Sequence, residues 1–80
     1  MYYVYVLRSP KQFYIGSTSD LKKRFSEHQN NRSVATKNRG QWKLVYYEAS
    51  ESKSDSLHRE IYLKTAWGKR YIKQRIKNSI

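Results

Sequence analysis

The sequence predicts a small α/β domain: a three-stranded antiparallel sheet flanked by helices, in the order β-β-α-β-α-α. Three observations carry this prediction. A tyrosine- and valine-rich run, Tyr2-Tyr3-Val4-Tyr5-Val6-Leu7, stops at a proline turn and is followed at once by a second short run ending at Gly16. The apolar spacing then changes from that of a strand to that of a helix at Leu21 and Phe25. The chain has 80 residues and no cysteine. That length suits one domain, residues 1–80, with a modest core and no disulfide or thiolate metal site to brace it.

Each element follows from local chemistry. Residues 2–8 form the first strand, because Tyr and Val suit a pleated, half-buried surface. Ser9-Pro10-Lys11-Gln12 is a turn, with proline fixing the backbone. Residues 12–16 form a second strand, and the short turn makes the pair an antiparallel hairpin. Ser19 caps a helix from Asp20 to Gln29, with Asp20 at the positive end of its dipole. Leu21, Arg24, Phe25 and His28 share one face of this helix, where Leu21 and Phe25 pack on the sheet and Arg24 and His28 emerge at the edge.

Residues 30–41 are polar, basic and long for a loop, which favours a functional segment. Trp42 to Ala49 is a third strand. Polar caps between Glu51 and Ser54 start a second helix, with Leu57 and Ile61 on its apolar face and Glu60 beside them. Gly68 breaks or bends the chain. Tyr71, Ile72, Arg75 and Ile76 carry a final basic helix.

Charge narrows the function. Seventeen Lys and Arg against six Asp and Glu give a formal charge of +11. Nucleic acid is the favoured partner, since phosphate contacts release counterions and supply sequence-independent affinity. Lys22, Lys23, Arg32, Lys37 and Arg39 form one basic region, and Lys69, Arg70 and Lys73 belong to a second. The two can grip two parts of one backbone. No apolar run approaches the ~20 residues of a membrane span. No signal-peptide pattern opens the chain. The expectation is a cytoplasmic protein.

Five residues could carry phosphodiester chemistry. Eight residues separate Tyr5 from Tyr14, Arg24 follows Tyr14 by ten, and His28 follows Arg24 by four. Tyr5 is the candidate general base, its phenol made more acidic by Arg24, with His28 taking the phenol's proton. Tyr14 places water or bonds the phosphate beside a glycine that permits close approach. Arg24 binds phosphate in bidentate fashion. Glu60 can supply the single carboxylate of a Mg²⁺ site, with water and substrate phosphate completing it.

Each has a structural alternative. The tyrosines can be core aromatics, and Arg24 can pair with Glu27. His28 can be buried for packing, and Glu60 can pair with Lys64. His58 has no comparable neighbours and reads as surface. The five catalytic candidates are expected to line one concave surface.

This pattern resembles the GIY-YIG nuclease superfamily, in particular its small stand-alone bacterial members, over roughly residues 2 to 77. Tyr3-Val4-Tyr5 stands at the first motif and Tyr14-Ile15-Gly16 at the second. Arg24, His28 and Glu60 match the helix arginine, the residue one turn later and the metal-binding glutamate. The resemblance implies a Mg²⁺-dependent (or other divalent-cation) endonuclease hydrolysing DNA, with the metal bound weakly before substrate arrives. Structure-selective cutting in repair or recombination would follow.

The sequence departs from the family at Tyr3, where relatives have glycine, at Ser17, where some have lysine, and at Ile72, where some have asparagine. The alternative is a nucleic-acid-binding module of the same fold with little or no activity. A third reading is an interaction protein whose charge serves solubility. RNA is also compatible with a basic face and aromatics. Specificity is expected to be low unless a partner protein supplies it, and neither pathway nor oligomeric state is readable.

Overall fold

A computed structural model describes residues 1–9, 12–29 and 42–77. Strand β1 spans Tyr2–Arg8, β2 Phe13–Thr18 and β3 Lys43–Ser50. Helix α1 spans Leu21–Gln29, α2 Lys53–Leu63 and α3 Ala66–Arg75. The order is β-β-α-β-α-α, as the sequence predicts. The sheet order is β2-β1-β3, and both pairings are antiparallel. Pro10, Lys11, the basic segment 30–41 and Asn78 lie outside the described residues. No helix among those described is long and apolar enough to cross a membrane.

The central position of β1 explains its composition. Side chains of a strand alternate between faces, and here both faces are covered. Val4 and Val6 pack with Ile15, Leu63, Ile72 and Ile76 beneath α2 and α3. Tyr5 and Leu7 pack with Trp42 on the other face, where Leu21 and Phe25 of α1 close the layer. A register shift between Val6 and Leu7 marks a bulge against β3. At the hairpin, Ser9 N–H donates to the Gln12 carbonyl at 2.9 Å.

Three local expectations need correction. Asp20, not Ser19, caps α1: its Oδ1 accepts from Lys23 N–H at 3.1 Å, while Thr18 Oγ1 accepts from Asp20 N–H. The helix therefore starts one residue later than predicted.

Leu57 and Ile61 do not face the core. They are 43% and 65% exposed, whereas Ser56 and Leu63 are buried. The inner face of α2 is partly polar, and apart from the Ser56 hydroxyl its polar groups have partners there. Glu60 binds Ser17, and Arg59 binds Glu48.

Gly68 does not break a helix. It lies inside α3, whose cap is Thr65. A Cβ at Gly68 would fall 2.1 Å from the Tyr62 carbonyl oxygen and 2.4 Å from Leu63 Cα. The glycine lets α3 rest directly on the end of α2, and the break between helices falls at Lys64 and Thr65.

Candidate active site

Register places the first polar group. Tyr5 of β1 lies opposite Gly16 of β2, and Leu7 lies opposite Tyr14. Tyr5 and Tyr14 therefore emerge on the same face, under α1. The ring centres of Tyr5 and Tyr14 are 6.2 Å apart. A Cβ at Gly16 would fall 2.7 Å from the Tyr5 hydroxyl oxygen. The missing side chain is thus what houses the Tyr5 hydroxyl.

Helix α1 delivers the next two groups from consecutive turns. The Tyr5 hydroxyl is 2.9 Å from His28 Nε2, and Arg24 Nε donates to the same hydroxyl oxygen at 3.3 Å. Since Arg24 can only donate, the phenol's own proton is left for another acceptor, and His28 Nε2 is one in the tautomer that leaves it unprotonated. The Tyr14 ring stacks obliquely on His28 at 4.9 Å and meets Trp42 edge-on at 6.2 Å. Arg24 also pairs with Glu27 at 3.0 Å. The sequence alternatives of packing and pairing hold together with the cluster rather than instead of it.

Burial sets the electrostatics. Tyr5 and His28 are each 1% exposed. Desolvation pushes the Tyr5 phenol up to about 12, against the opposing pull of its Arg24 hydrogen bond. This reverses the expected direction: Arg24 does favour the phenolate, but burial outweighs it. His28 is lowered by burial first and by Arg24 next. Its imidazole is neutral near pH 7, which fits Nε2 as the acceptor of the Tyr5 proton. Arg24 is raised above the ordinary arginine range, chiefly by the Tyr5 hydrogen bond.

Glu60 comes from α2 and meets the β2 strand at Ser17. Its Oε1 accepts from Ser17 Oγ at 2.6 Å, and Lys64 Nζ donates to its Oε2 at 2.8 Å. Ser17 follows Gly16, so its side chain leaves the opposite face of β2. The structure thus groups Tyr5, Tyr14, Arg24 and His28, and sets Glu60 across the edge strand from them. Burial tends to raise the Glu60 carboxyl, but the bonds from Lys64 and Ser17 outweigh it and the net shift is downward. No group of three or more His, Cys, Asp or Glu that could hold a metal occurs among the described residues. An ionised carboxylate beside a serine hydroxyl still suits a hard cation that takes its other ligands from water and phosphate.

The chain matches the GIY-YIG catalytic domain over residues 1–77. It belongs to the GIY-YIG family. A UPF0213 protein of Clostridium perfringens is 41% identical over 66 residues, covering 80% of this chain and 71% of that protein. One from Limosilactobacillus reuteri is 42% identical over 67 residues, covering 79% of this chain and 70% of that protein. A third, from Staphylococcus saprophyticus, is 35% identical over 66 residues, covering 80% of each. No solved structure matches the chain.

The basic residues of this GIY-YIG domain fall into separate places. Lys22 and Lys23 are exposed on α1. Lys22 borders a groove of about 490 Å³ that also exposes Tyr3 and Tyr47. Lys69 and Lys73 line another groove, of about 510 Å³, with Phe13 and Lys64. Arg70 instead lies over the Trp67 ring at 5.0 Å. Arg32, Lys37 and Arg39 lie outside the described residues.

Sequence reasoning did not place Ser17 beside Glu60. The signal was available in strand parity, which puts Ser17 on the same face as Ile15 and toward α2. It also missed Trp42 as the wall behind Tyr14, since a lone aromatic at a strand start carries no local signature.

Proposed function

We propose that this chain is a metal-dependent endonuclease that cuts the DNA backbone, working beside cytoplasmic DNA, with structure-selective repair or recombination as its setting. The observation that carries this reading is the buried Tyr5 hydroxyl, held between the neutral acceptor His28 and the cation Arg24.

The residues would act as follows. The attacking water gives its proton to the Tyr5 oxygen as the Tyr5 proton moves to His28 Nε2 in the same step, so no free phenolate, which burial disfavours, has to form. The hydroxide forms a bond to phosphorus as the bond to the leaving sugar oxygen breaks. Tyr14, half-exposed at the mouth, orients that water. Arg24 has a third of its side chain in solvent and can bond the phosphate oxygens as their charge grows. Glu60 would hold the divalent cation with Ser17 beside it. Such a cation supplies positive charge to the phosphate and the leaving oxygen. Lys22, Lys23, Lys69, Arg70 and Lys73 would supply backbone contacts.

A second reading has specific support. Tyr5 is almost wholly covered, and Ile72 is a core residue packed with Val4, Val6 and Leu63. No polar group stands at that place to assist at the phosphate. A nucleic-acid-binding module of the same fold would need neither an exposed base nor a group there.

The test is incubation with labelled single-stranded, duplex and branched DNA, with Mg²⁺ or with chelator, beside Glu60→Ala. The nuclease reading expects cutting that chelator and Glu60→Ala both abolish. Salt-sensitive binding without cutting on any substrate would support the binding module instead.

A further inference from the structure

Apart from Ser17, the hydroxyl cluster at the start of α2 serves none of the roles above. A cavity of about 310 Å³ opens between the end of β2 and the first turn of α2. Its polar lining is Ser17, Thr18, Ser19, Lys53 and Ser56. With Tyr2 also in the wall, the lining carries five hydroxyl-bearing side chains and one ammonium, without a carboxylate. Ser17 is bonded to Glu60, and Thr18 to the backbone of Asp20. Ser56 differs from both. It is 2% exposed, and its Oγ has no hydrogen-bond partner. Buried hydroxyls are nearly always paired, so Ser56, a residue of the cavity wall, carries a donor still to be satisfied.

The helix adds donors of its own. Ser52 caps α2 and takes the Asp55 N–H, while Ser56 N–H bonds the Ser52 carbonyl. The N–H groups of Lys53 and Ser54 have no acceptor within the helix. The helix dipole is positive at this end. Asp55 belongs to the same turn, but it is exposed and lies outside the lining. The unpaired Ser56 hydroxyl, the free amides, the Lys53 ammonium and the dipole all favour an anion with several acceptor oxygens.

We infer that this cavity binds a phosphate group of the nucleic-acid strand, adjacent to the one being cut. Ser17 stands between the two places, with its hydroxyl on Glu60 and its residue in the cavity wall. A strand following the free edge of β2 would set one phosphate by Glu60 and its neighbour against Lys53 and Ser56. The identity of the bound phosphate rests on the nuclease reading, whereas the anion site itself does not.

The test is an NMR titration of the whole chain in chelator, with inorganic phosphate and separately with a short single-stranded oligodeoxynucleotide. Wild type, Ser56→Ala and Lys53→Gln are compared with Lys77→Gln, which removes one charge elsewhere. The expected result is saturable shifts of the Lys53, Ser54 and Ser56 amides with the oligonucleotide. Ser56→Ala and Lys53→Gln should each weaken that saturation about tenfold, and Lys77→Gln much less.

Ser56→Ala removes only an unpaired hydroxyl, so its fold should persist, and a thermal melt checks this. Absence of saturation with either probe, or unchanged affinity in Ser56→Ala, overturns the inference. Saturation by inorganic phosphate alone overturns its assignment to a nucleic-acid strand. DNA cutting in Mg²⁺ without saturation here defeats this inference only. Saturation without cutting on any DNA defeats the nuclease reading only.

Discussion

The hydroxyl of Tyr5 lies 2.9 Å from Nε2 of His28, and both side chains are 1% exposed. One residue comes from the central strand and the other from the last turn of α1. Their bond ties α1 to the sheet and, on the proposed mechanism, forms a proton path. The two functions of the bond can be separated experimentally.

Tyr5→Phe keeps the ring and removes the hydroxyl. It leaves His28 Nε2 buried without its Tyr5 bond, which costs about 1–3 kcal/mol. The fold should survive, as a cooperative thermal melt at lower temperature. Cutting should fall by about 10²–10⁴-fold, the usual worth of a positioned acid or base. DNA affinity should stay close to that of wild type.

Gly16→Ala tests the housing of that hydroxyl. The new methyl would fall 2.7 Å from the Tyr5 hydroxyl oxygen and 3.1 Å from Tyr14 Cε2. Displacing these rings should cost about 1–3 kcal/mol and disrupt activity together. Gly68→Ala meets rigid backbone at 2.1 Å, so its destabilisation should reach the upper end of that ~1–3 kcal/mol range or beyond it. Denaturant melts of the two variants give the comparison.

Stability should depend on pH through His28. Its folded pKa lies below the ordinary value of 6.5, because burial disfavours the imidazolium. At lower pH the unfolded chain therefore binds more protons than the folded one. The contribution of neutral His28 is fully present above 6.5 and is lost as pH falls through the lower folded value. Urea melts across this range should show stability falling on acidification, with a shallower fall in His28→Gln. Cutting should fall over the same window, because a protonated Nε2 cannot accept the Tyr5 proton.

Lys64 occupies the Glu60 carboxylate and would compete with a cation proposed to bind there. Its ammonium donates to Oε2 at 2.8 Å from a side chain 54% exposed. So exposed a pair contributes little to stability. Lys64→Ala should leave the melting temperature nearly unchanged and tighten divalent-cation binding several-fold, roughly 1 kcal/mol by calorimetry. Glu60→Gln should lose that binding.

Much of this fold was legible because its strands announce themselves. Tyr2–Arg8 is covered on both faces, so it reads as a continuous aromatic and β-branched run. The interval from Tyr14 to Arg24 and His28 was legible because it spans one hairpin strand and one short helix. What failed was any judgement needing the partner surface. Leu57 and Ile61 have helical spacing but face solvent, while Glu60 and Arg59 turn inward to partners from β2 and β3. Gly68 looked like a breaker because its close neighbour, the Tyr62 carbonyl, belongs to another helix. The separation of Glu60 from the tyrosines depends on which face Ser17 leaves, which only the sheet register fixes.

The most direct measurement is the single-turnover cleavage rate of labelled branched DNA in Mg²⁺ by wild type and Tyr5→Phe, with binding of the same DNA measured in parallel. Wild type should cut, and Tyr5→Phe should bind equally well and not cut at a comparable rate. Equal rates for the two proteins would contradict a catalytic role for the Tyr5 hydroxyl.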